Sequence, residues 1–146
     1  MAGSGEAKKI DLGHYDCFNH YIGIDGAPYL FFLQGTPQSS HEDKRLCVVQ
    51  PTGDVRTQWP LLAADGTNAS HAMECCGCFV GDGAGEGVVV SGRHYEPNPS
   101  RPVAAFIYRK ALGADRELWR HQTDACASAV AFVPDKGLIA AAFLDG

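Results

Sequence analysis

Short apolar segments, rich in β-branched and aromatic side chains, set what this chain of 146 residues can fold into. Each is about four to seven residues long and is bounded by Gly, Pro, Asp or Asn, which is typical of strands joined by turns. The window Arg109–Arg120 is predicted as a turn followed by a strand, since Gly113 interrupts it and no capping residue opens it. The sequence therefore predicts an all-β fold. The clearest predicted strands are Tyr29–Leu33, Leu46–Val49, Gly87–Val90, Val103–Tyr108, Ala127–Phe132 and Leu138–Phe143.

Three segments of the chain share one pattern, a strand, an acidic or glycine turn and a second strand. Their turns are marked by Asp25, Asp82 and Asp135, which are 57 and 53 residues apart. Propeller repeats of the kelch type run about 50 residues and those of the WD type about 40 to 45. The spacing therefore predicts propeller blades with modest loop insertions.

A tryptophan recurs at a fixed offset from a turn glycine. Trp59 follows Gly53 by six residues, and Trp119 follows Gly113 by six. A large apolar side chain repeated at this place is predicted to be a packing anchor between adjacent sheets. The alternative, two unrelated tryptophans in a generic β-sandwich, stays open.

The segment 129–146 carries a resemblance to a known family. A strand ends at Phe132, the turn Pro134-Asp135 follows, and a second strand leads to Asp145-Gly146. This pattern resembles the central half of a WD-repeat blade, although the Trp-Asp dipeptide and the Gly-His pair of that family are absent. Kelch-like features are weaker, since the double glycine is missing. The resemblance implies an antiparallel β-propeller, here a partial one of about two and a half blades.

The domain organisation predicted from these repeats has two parts. Residues 1–10 are predicted to be a flexible N-terminal tail, because they are small, polar and charged without periodicity. Residues 11–146 are predicted to be propeller-like repeats with blade boundaries near 36–92 and 93–146. Propellers use four to eight blades, so the chain is expected to be a segment that needs additional blades, from a larger protein, from other chains or by self-association.

Charge and hydropathy exclude several classes of function. With 12 Lys and Arg against 17 Asp and Glu, the net charge of −5 argues against direct nucleic-acid binding. No apolar stretch approaches the roughly 20 residues that cross a bilayer, so no membrane partner is expected. No secretory leader is recognised at the N-terminus, and an intracellular location, cytoplasmic or nuclear, is expected.

The sequence predicts no catalytic residue, no cofactor and no metal site. His71, Cys75, Cys76 and Cys78 form the one cluster with metal-ligand residue types, but Cys76 and Cys78 lie two apart on a predicted strand. That spacing favours a buried strand over a zinc site, which prefers two ligand pairs held by turns. Whether this cluster binds metal stays open. The stretch Gly81–Gly87 is predicted to be a hairpin turn, because no Lys-Ser or Lys-Thr follows it.

Two polar segments, Thr36–Arg45 and Arg93–Arg101, are predicted to be loops on the same face of successive blades. Their composition is enriched in residues of protein interfaces, although a pair of solvated loops is an equally open alternative. The predicted interaction rim consists of Arg45, Arg93, His94, Tyr95 and Arg101.

These observations favour a non-catalytic protein–protein interaction scaffold whose partners are other protein subunits. The alternative is a ligand-binding or hydrolytic β-propeller with its site at the channel mouth. In that case the site would carry acidic and histidine side chains, namely Asp25, Asp82, His94 and Asp135.

Overall fold

The computed structural model describes residues 18–35, 45–50, 52, 54–60, 72–97, 100–113 and 116–143. These residues form β-strands joined by turns, with one 3-10 helix at Pro134–Lys136 and no α-helix. The predicted all-β fold is confirmed for this part of the chain, and each predicted strand overlaps an observed one. The strands are β1 (Phe18–Ile22), β2 (Ile24–Asp25), β3 (Leu30–Gly35), β4 (Arg45–Val49), β5 (Val55–Pro60), β6 (Ala72–Asp82), β7 (Gly85–Pro97), β8 (Ser100–Ala111), β9 (Arg116–Thr123), β10 (Ala127–Val133) and β11 (Leu138–Phe143).

The strands assemble into three sheets. Sheet 1 has the order β1-β3-β4-β5, sheet 2 the order β2-β6-β7-β8-β9, and sheet 3 consists of β10 and β11. Neighbouring strands are antiparallel, except that β2 pairs in parallel with β6. Sheets 1 and 2 therefore each contain a meander of four antiparallel strands in chain order. Sheet 3 follows the same path over two strands, and no sheet closes on itself within the described residues.

The three turn aspartates occupy corresponding places in these sheets. Asp25 lies between β1 and β3, Asp82 at the junction of β6 and β7, and Asp135 between β10 and β11. In every case the flanking strands pair antiparallel with each other. The predicted strand–turn–strand units are therefore confirmed, including the hairpin turn within Gly81–Gly87.

The limits of the sheets differ from the blade boundaries predicted near 36–92 and 93–146. Sheet 1 ends at Pro60, while β6 to β9 of sheet 2 span 72–123, so positions 92 and 93 lie inside one strand, β7. In sheet 3 the Pro134-Asp135 turn joins β10 to β11. Turn chemistry is the same between any two antiparallel strands, so the turn by itself does not mark a boundary between sheets. The predicted tail, 1–10, lies outside the described residues.

Sheet 2 is covered on both faces. Side chains alternate across a strand, so Val88 and Val90 point to one face and Val89 to the other, and all three are fully buried. The first face packs on sheet 1 and the second on sheet 3, which explains why this part of β7 is continuously apolar. The first core comprises Ile22, Ile24, Phe31, Leu46, Val48, Val88, Val90, Phe106, Tyr108 and Leu112. The second core comprises Cys78, Val80, Val89, Ile107, Ala127 and Val130.

The window Arg109–Arg120 contains a turn followed by a strand, as predicted. Strand β8 ends at Ala111, and β9 begins at Arg116 after the turn at Leu112 and Gly113. The backbone N–H of Leu112 donates to the carbonyl of Glu86 at 2.9 Å, and its side chain is buried in the first core. This turn is thereby fixed against the start of β7. In the described ranges, no helix is long and apolar enough to cross a membrane.

Candidate functional site

The residues of the predicted interaction rim lie in strands. Strand β7 continues to Pro97 and β8 begins at Ser100. The prediction of a loop over Arg93–Arg101 is therefore wrong, because this segment forms the far end of a long β-hairpin. Within it His94 pairs with Ala104 and Tyr95 with Pro102. The prediction failed because polar side chains are common both in loops and in strands that face water, and only the backbone ladder separates the two cases.

The hairpin brings together four of the five rim residues. Arg93, His94 and Tyr95 lie in β7, and Arg101 lies opposite Glu96 in β8. The fifth, Arg45, begins β4 in sheet 1, where it pairs with Gln34 and Pro60. The side chain of Arg93 is half-buried. Residues 36–44 of the other predicted polar loop, Thr36–Arg45, lie outside the described residues.

Both predicted anchor tryptophans lie on the last strand of a meander. Trp59 is in β5 opposite Leu46, and Trp119 is in β9 opposite Arg109. Trp119 is half-buried and packs against the second core, while the side chain of Trp59 lies outside the described residues. Its ring also stacks at a tilt on His121, with centroids 5.3 Å apart.

The four residues of the predicted channel-mouth site do not form one group. His94 is nine residues along β7 from the turn that holds Asp82, a separation of roughly 30 Å in an extended strand. Asp82 itself is engaged in structure, because its Oδ1 accepts from Arg109 Nη2 at 2.7 Å and from the Ala84 N–H at 2.9 Å. The bond to Arg109, and next the one to Ala84, lowers the pKa of Asp82.

A pocket of about 400 Å³ lies beside Asp25, between β2, β6 and the turn that joins β10 to β11. Strand β2 pairs with β6 at only two positions, Ile24 with Gly77 and Asp25 with Cys78. The chain then turns away at Gly26, whose φ of +73° is the left-handed conformation that glycine adopts without strain. The turn leaves the edge of β6 open to the pocket. The described lining residues are Asp25, Gly26, Cys78, Phe79, Gly81, Ala131, Phe132 and Pro134.

Gly77 allows β2 to approach β6 closely enough to form this pocket. A Cβ at this position would lie 2.8 Å from Ile24 Cδ1 and would collide with the carbonyl oxygen of Val89. The N–H of Gly77 donates to the carbonyl of Gly23 at 3.3 Å. The absence of a side chain at Gly77 therefore positions the carboxylate of Asp25 at the pocket wall.

The thiols near the pocket are held in their neutral form. Burial, and then the negative charges of Asp25 and Cys76, raises the pKa of Cys78 to about 11. Burial, followed by Cys126 and Asp25, also raises the pKa of Cys76. At neutral pH the lining therefore combines one carboxylate, that of Asp25, with a neutral thiol, two aromatic rings and small apolar groups.

A buried hydrogen-bonded network behind the pocket attaches sheet 3 to sheet 2. Ser91 and Cys76 are cross-strand neighbours in sheet 2. The Ser91 hydroxyl accepts from the Ala127 N–H at 2.9 Å and donates to the Phe106 carbonyl at 3.1 Å, while the Cys76 thiol donates to the Ala127 carbonyl at 3.1 Å. Both backbone groups of Ala127 are thus satisfied by side chains of sheet 2. We call this arrangement the Ala127 clamp.

Cys76 and Cys78 lie in a strand, as predicted, and Cys78 is buried. The side chain of Cys75 and all of His71 lie outside the described residues. Among the side chains that are described, no three His, Cys, Asp or Glu residues are grouped so that they could hold a metal ion.

Sequence reasoning identified Asp25 but missed the two aromatic residues of the pocket, Phe79 and Phe132. A signal for them exists, because each precedes its turn aspartate, Asp82 or Asp135, by three residues. In two of the three repeat units an aromatic residue therefore marks the end of the first strand. Their meeting with Asp25 depends on the stacking of sheets, which no local pattern encodes.

Comparison of the chain with protein-family models, with curated proteins and with solved structures finds no match.

Proposed function

We propose that the chain is a non-catalytic protein–protein interaction module, a WD-like β-propeller segment that works within a larger protein or complex. Its partners are other protein subunits that supply further β-sheet. The observation that carries the proposal is the exposed apolar outer face of sheet 3, set against the complete burial of the equivalent part of sheet 2.

The stacking of sheets in this chain has the character of successive blades. A four-stranded blade that is apolar on both faces is stable only between neighbours. Sheet 2 meets this condition, since sheet 1 covers the face of Val88 and sheet 3 covers the face of Val89. The meander order repeated in sheets 1 and 2 supports the same interpretation.

Sheet 3 has one covered and one uncovered face. Val130, Phe132 and Ile139 point inward against the second core. The three cross-strand pairs of the outer face are all exposed to solvent. The solvent-exposed fraction is 40% for Val133 and 56% for Leu138. These pairs are Ala129 with Ala142, Ala131 with Ala140, and Val133 with Leu138.

The occupant that fits this outer face is another antiparallel β-sheet. Within the chain, the corresponding face of β6 and β7 is covered by such a sheet, and no charged side chain stands among the three outer pairs. Alanine at four of the six positions permits the close approach of a second sheet, about 10 Å away. In the described part of the chain β11 pairs only with β10, so its other edge is open to strand addition.

The state of the cysteines supports an intracellular place of action. Cys76 and Cys78 are free thiols. Free thiols persist in the reducing compartments of the cell. We infer a cytoplasmic or nuclear setting.

The outer face can be tested by its effect on association. Sedimentation velocity of the purified chain over a range of concentrations is expected to show self-association, because exposed apolar faces and open edges promote it. Ala140→Arg, in the centre of the face, is expected to shift the chain to smaller species. Ala84→Arg, in the exposed β6–β7 turn, is the matched control and should change nothing. A monomer at every concentration, with no response to Ala140→Arg, would contradict the proposal.

The ligand-binding alternative is supported by a different observation, the pocket beside Asp25. Its carboxylate lines a cavity together with two aromatic rings. The hydrolytic part of that alternative has less support, because His94 lies far along β7 and Asp82 is paired with Arg109.

A further inference from the structure

We propose that the pocket between β2, β6 and the β10–β11 turn binds an organic cation the size of a side chain, either an alkylammonium or an alkylguanidinium group. The proposal concerns a second site and does not depend on the scaffold function of sheet 3.

The chain itself shows what its turn aspartates recognise. Asp82 in sheet 2 occupies the place that corresponds to Asp25, and its carboxylate binds the guanidinium of Arg109 at 2.7 Å. Asp25 forms no ion pair with any described residue. Its carboxylate instead lines a pocket of about 400 Å³, within the range of small-molecule sites. A cation from outside the chain would therefore take at Asp25 the place that Arg109 takes at Asp82.

The rest of the lining selects an organic cation. Phe79 and Phe132 come from different sheets, and aromatic faces attract ammonium and guanidinium groups. Pro134 offers apolar contact to an alkyl stem. A bare metal ion would find one carboxylate and a protonated thiol, which is a poor donor set. An anion would be repelled by Asp25.

The aromatic walls are held in place before a ligand arrives. Phe79 packs against the first core and lies tilted against Tyr29, with ring centroids 6.1 Å apart. Phe132 packs against the second core. Because the two cores fix the two rings, little side-chain freedom is lost on binding.

The test is a titration followed by NMR chemical shifts of the full chain. The probes are n-butylguanidinium, n-butylammonium and the neutral isostere n-butylurea. The two cations are expected to shift the amide signals of Asp25, Phe79 and Phe132 saturably, whereas n-butylurea should bind at least about tenfold more weakly, since it lacks the charge. Equal binding of n-butylurea and n-butylguanidinium would overturn the proposal.

Two variants separate the carboxylate from general folding effects. Asp25→Asn keeps the shape of the side chain and is expected to weaken n-butylguanidinium binding at least about tenfold. Asp124→Asn removes an exposed carboxylate outside the pocket and should leave the affinity unchanged. Both variants should keep the amide spectrum of the folded chain. Undiminished affinity in Asp25→Asn would refute the assignment.

The source of the cation is determined by comparing the affinity of an arginine peptide with that of n-butylguanidinium. An acetylated, amidated Gly-Arg-Gly peptide that binds more tightly than n-butylguanidinium identifies a side chain of a protein partner. Equal or weaker binding of the peptide identifies a free small molecule. The two proposals can fail independently. A chain that binds n-butylguanidinium but stays monomeric at every concentration would support the cation site and contradict the scaffold proposal.

Discussion

Sheets 2 and 3 contain similar hairpins but meet different surroundings. Strands β6 and β7 of sheet 2, like strands β10 and β11 of sheet 3, are antiparallel and joined by a turn marked by an aspartate, Asp82 or Asp135. The central strand of sheet 2 carries Val88-Val89-Val90, fully buried on both faces, whereas the outer face of sheet 3 carries Ala129, Ala131, Ala140 and Ala142, all exposed. The difference teaches that side-chain size here follows the covering of a face. Alanine keeps an uncovered sheet apolar while limiting the exposed area.

The largest expected effect comes from a charge placed on the covered face. Val90→Asp buries a carboxylate between sheets 1 and 2, where its cross-strand neighbours are Gly77 and Tyr108 and no counter-charge lies among the residues of the first core. It is expected to lower the free energy of unfolding by about 4 kcal/mol or more. The matched variant Ala140→Asp, on the uncovered face of sheet 3, should change it by less than about 0.5 kcal/mol. Urea denaturation measures both, and similar losses in the two variants would remove the distinction between the sheets.

A smaller loss is expected at the rim of the contact between sheets 2 and 3. Trp119→Ala removes a half-buried ring that packs against the second core. Full burial would make the loss about 3 to 5 kcal/mol, so about 2 to 3 kcal/mol is expected here. Trp119→Phe should recover part of it, as read from the urea midpoint. An unchanged midpoint in Trp119→Ala would show that β9 does not help to hold sheet 3.

The Ala127 clamp is expected to contribute less to the free energy of unfolding than Trp119 does. Ser91→Ala leaves the buried N–H of Ala127 without its acceptor, which is expected to cost about 1 to 2 kcal/mol. Ser128→Ala is the control, since the Ser128 hydroxyl makes an exposed bond to the Ala142 carbonyl. Faster hydrogen exchange of the Ala127 amide should accompany the loss in Ser91→Ala. Equal stability of the two variants would show that the clamp does not attach sheet 3.

The last expected effect depends on pH and is a decline of stability in alkali. The pKa of Cys78 is raised from 9.0 to about 11, so the folded chain keeps a proton that the unfolded chain releases. The resulting stabilisation is complete below pH 9 and is lost as the pH rises toward 11. Cys78→Ala should flatten the dependence of the urea midpoint on pH in this window, leaving the part that comes from Cys76. An unaltered pH profile in Cys78→Ala would show that sheet 3 does not shield this thiol.

The strands and tight turns could be predicted because they are local. Alternation, β-branched residues and turn chemistry are all contained in segments such as Ala127–Phe132 and Pro134-Asp135, and the structure places strands and a turn there. The spacing of the three aspartates also predicts corresponding hairpins. These features need only neighbours along the chain.

The grouping of strands into sheets and the pocket could not be predicted in the same way. Residues 92 and 93 lie inside β7, because a strand of 13 residues runs through a segment whose polar composition resembles a loop. Asp25, Phe79 and Phe132 meet only after three separate hairpins have stacked. That stacking depends on contacts across more than 50 residues of sequence, among them the close approach at Gly77.

The Ala127 clamp also decides which side of sheet 3 faces water. The clamp fixes one residue of β10 against sheet 2, and the register irregularity between Ala127 and Ala129 follows at once. From that point the alternation sends Val130 and Phe132 inward and Ala129 and Ala131 outward. A slip of one residue would exchange the two sets. Two side-chain hydrogen bonds to Ala127, together with the one extra residue between Ala127 and Ala129, thus determine which side chains of sheet 3 form its solvent-exposed face.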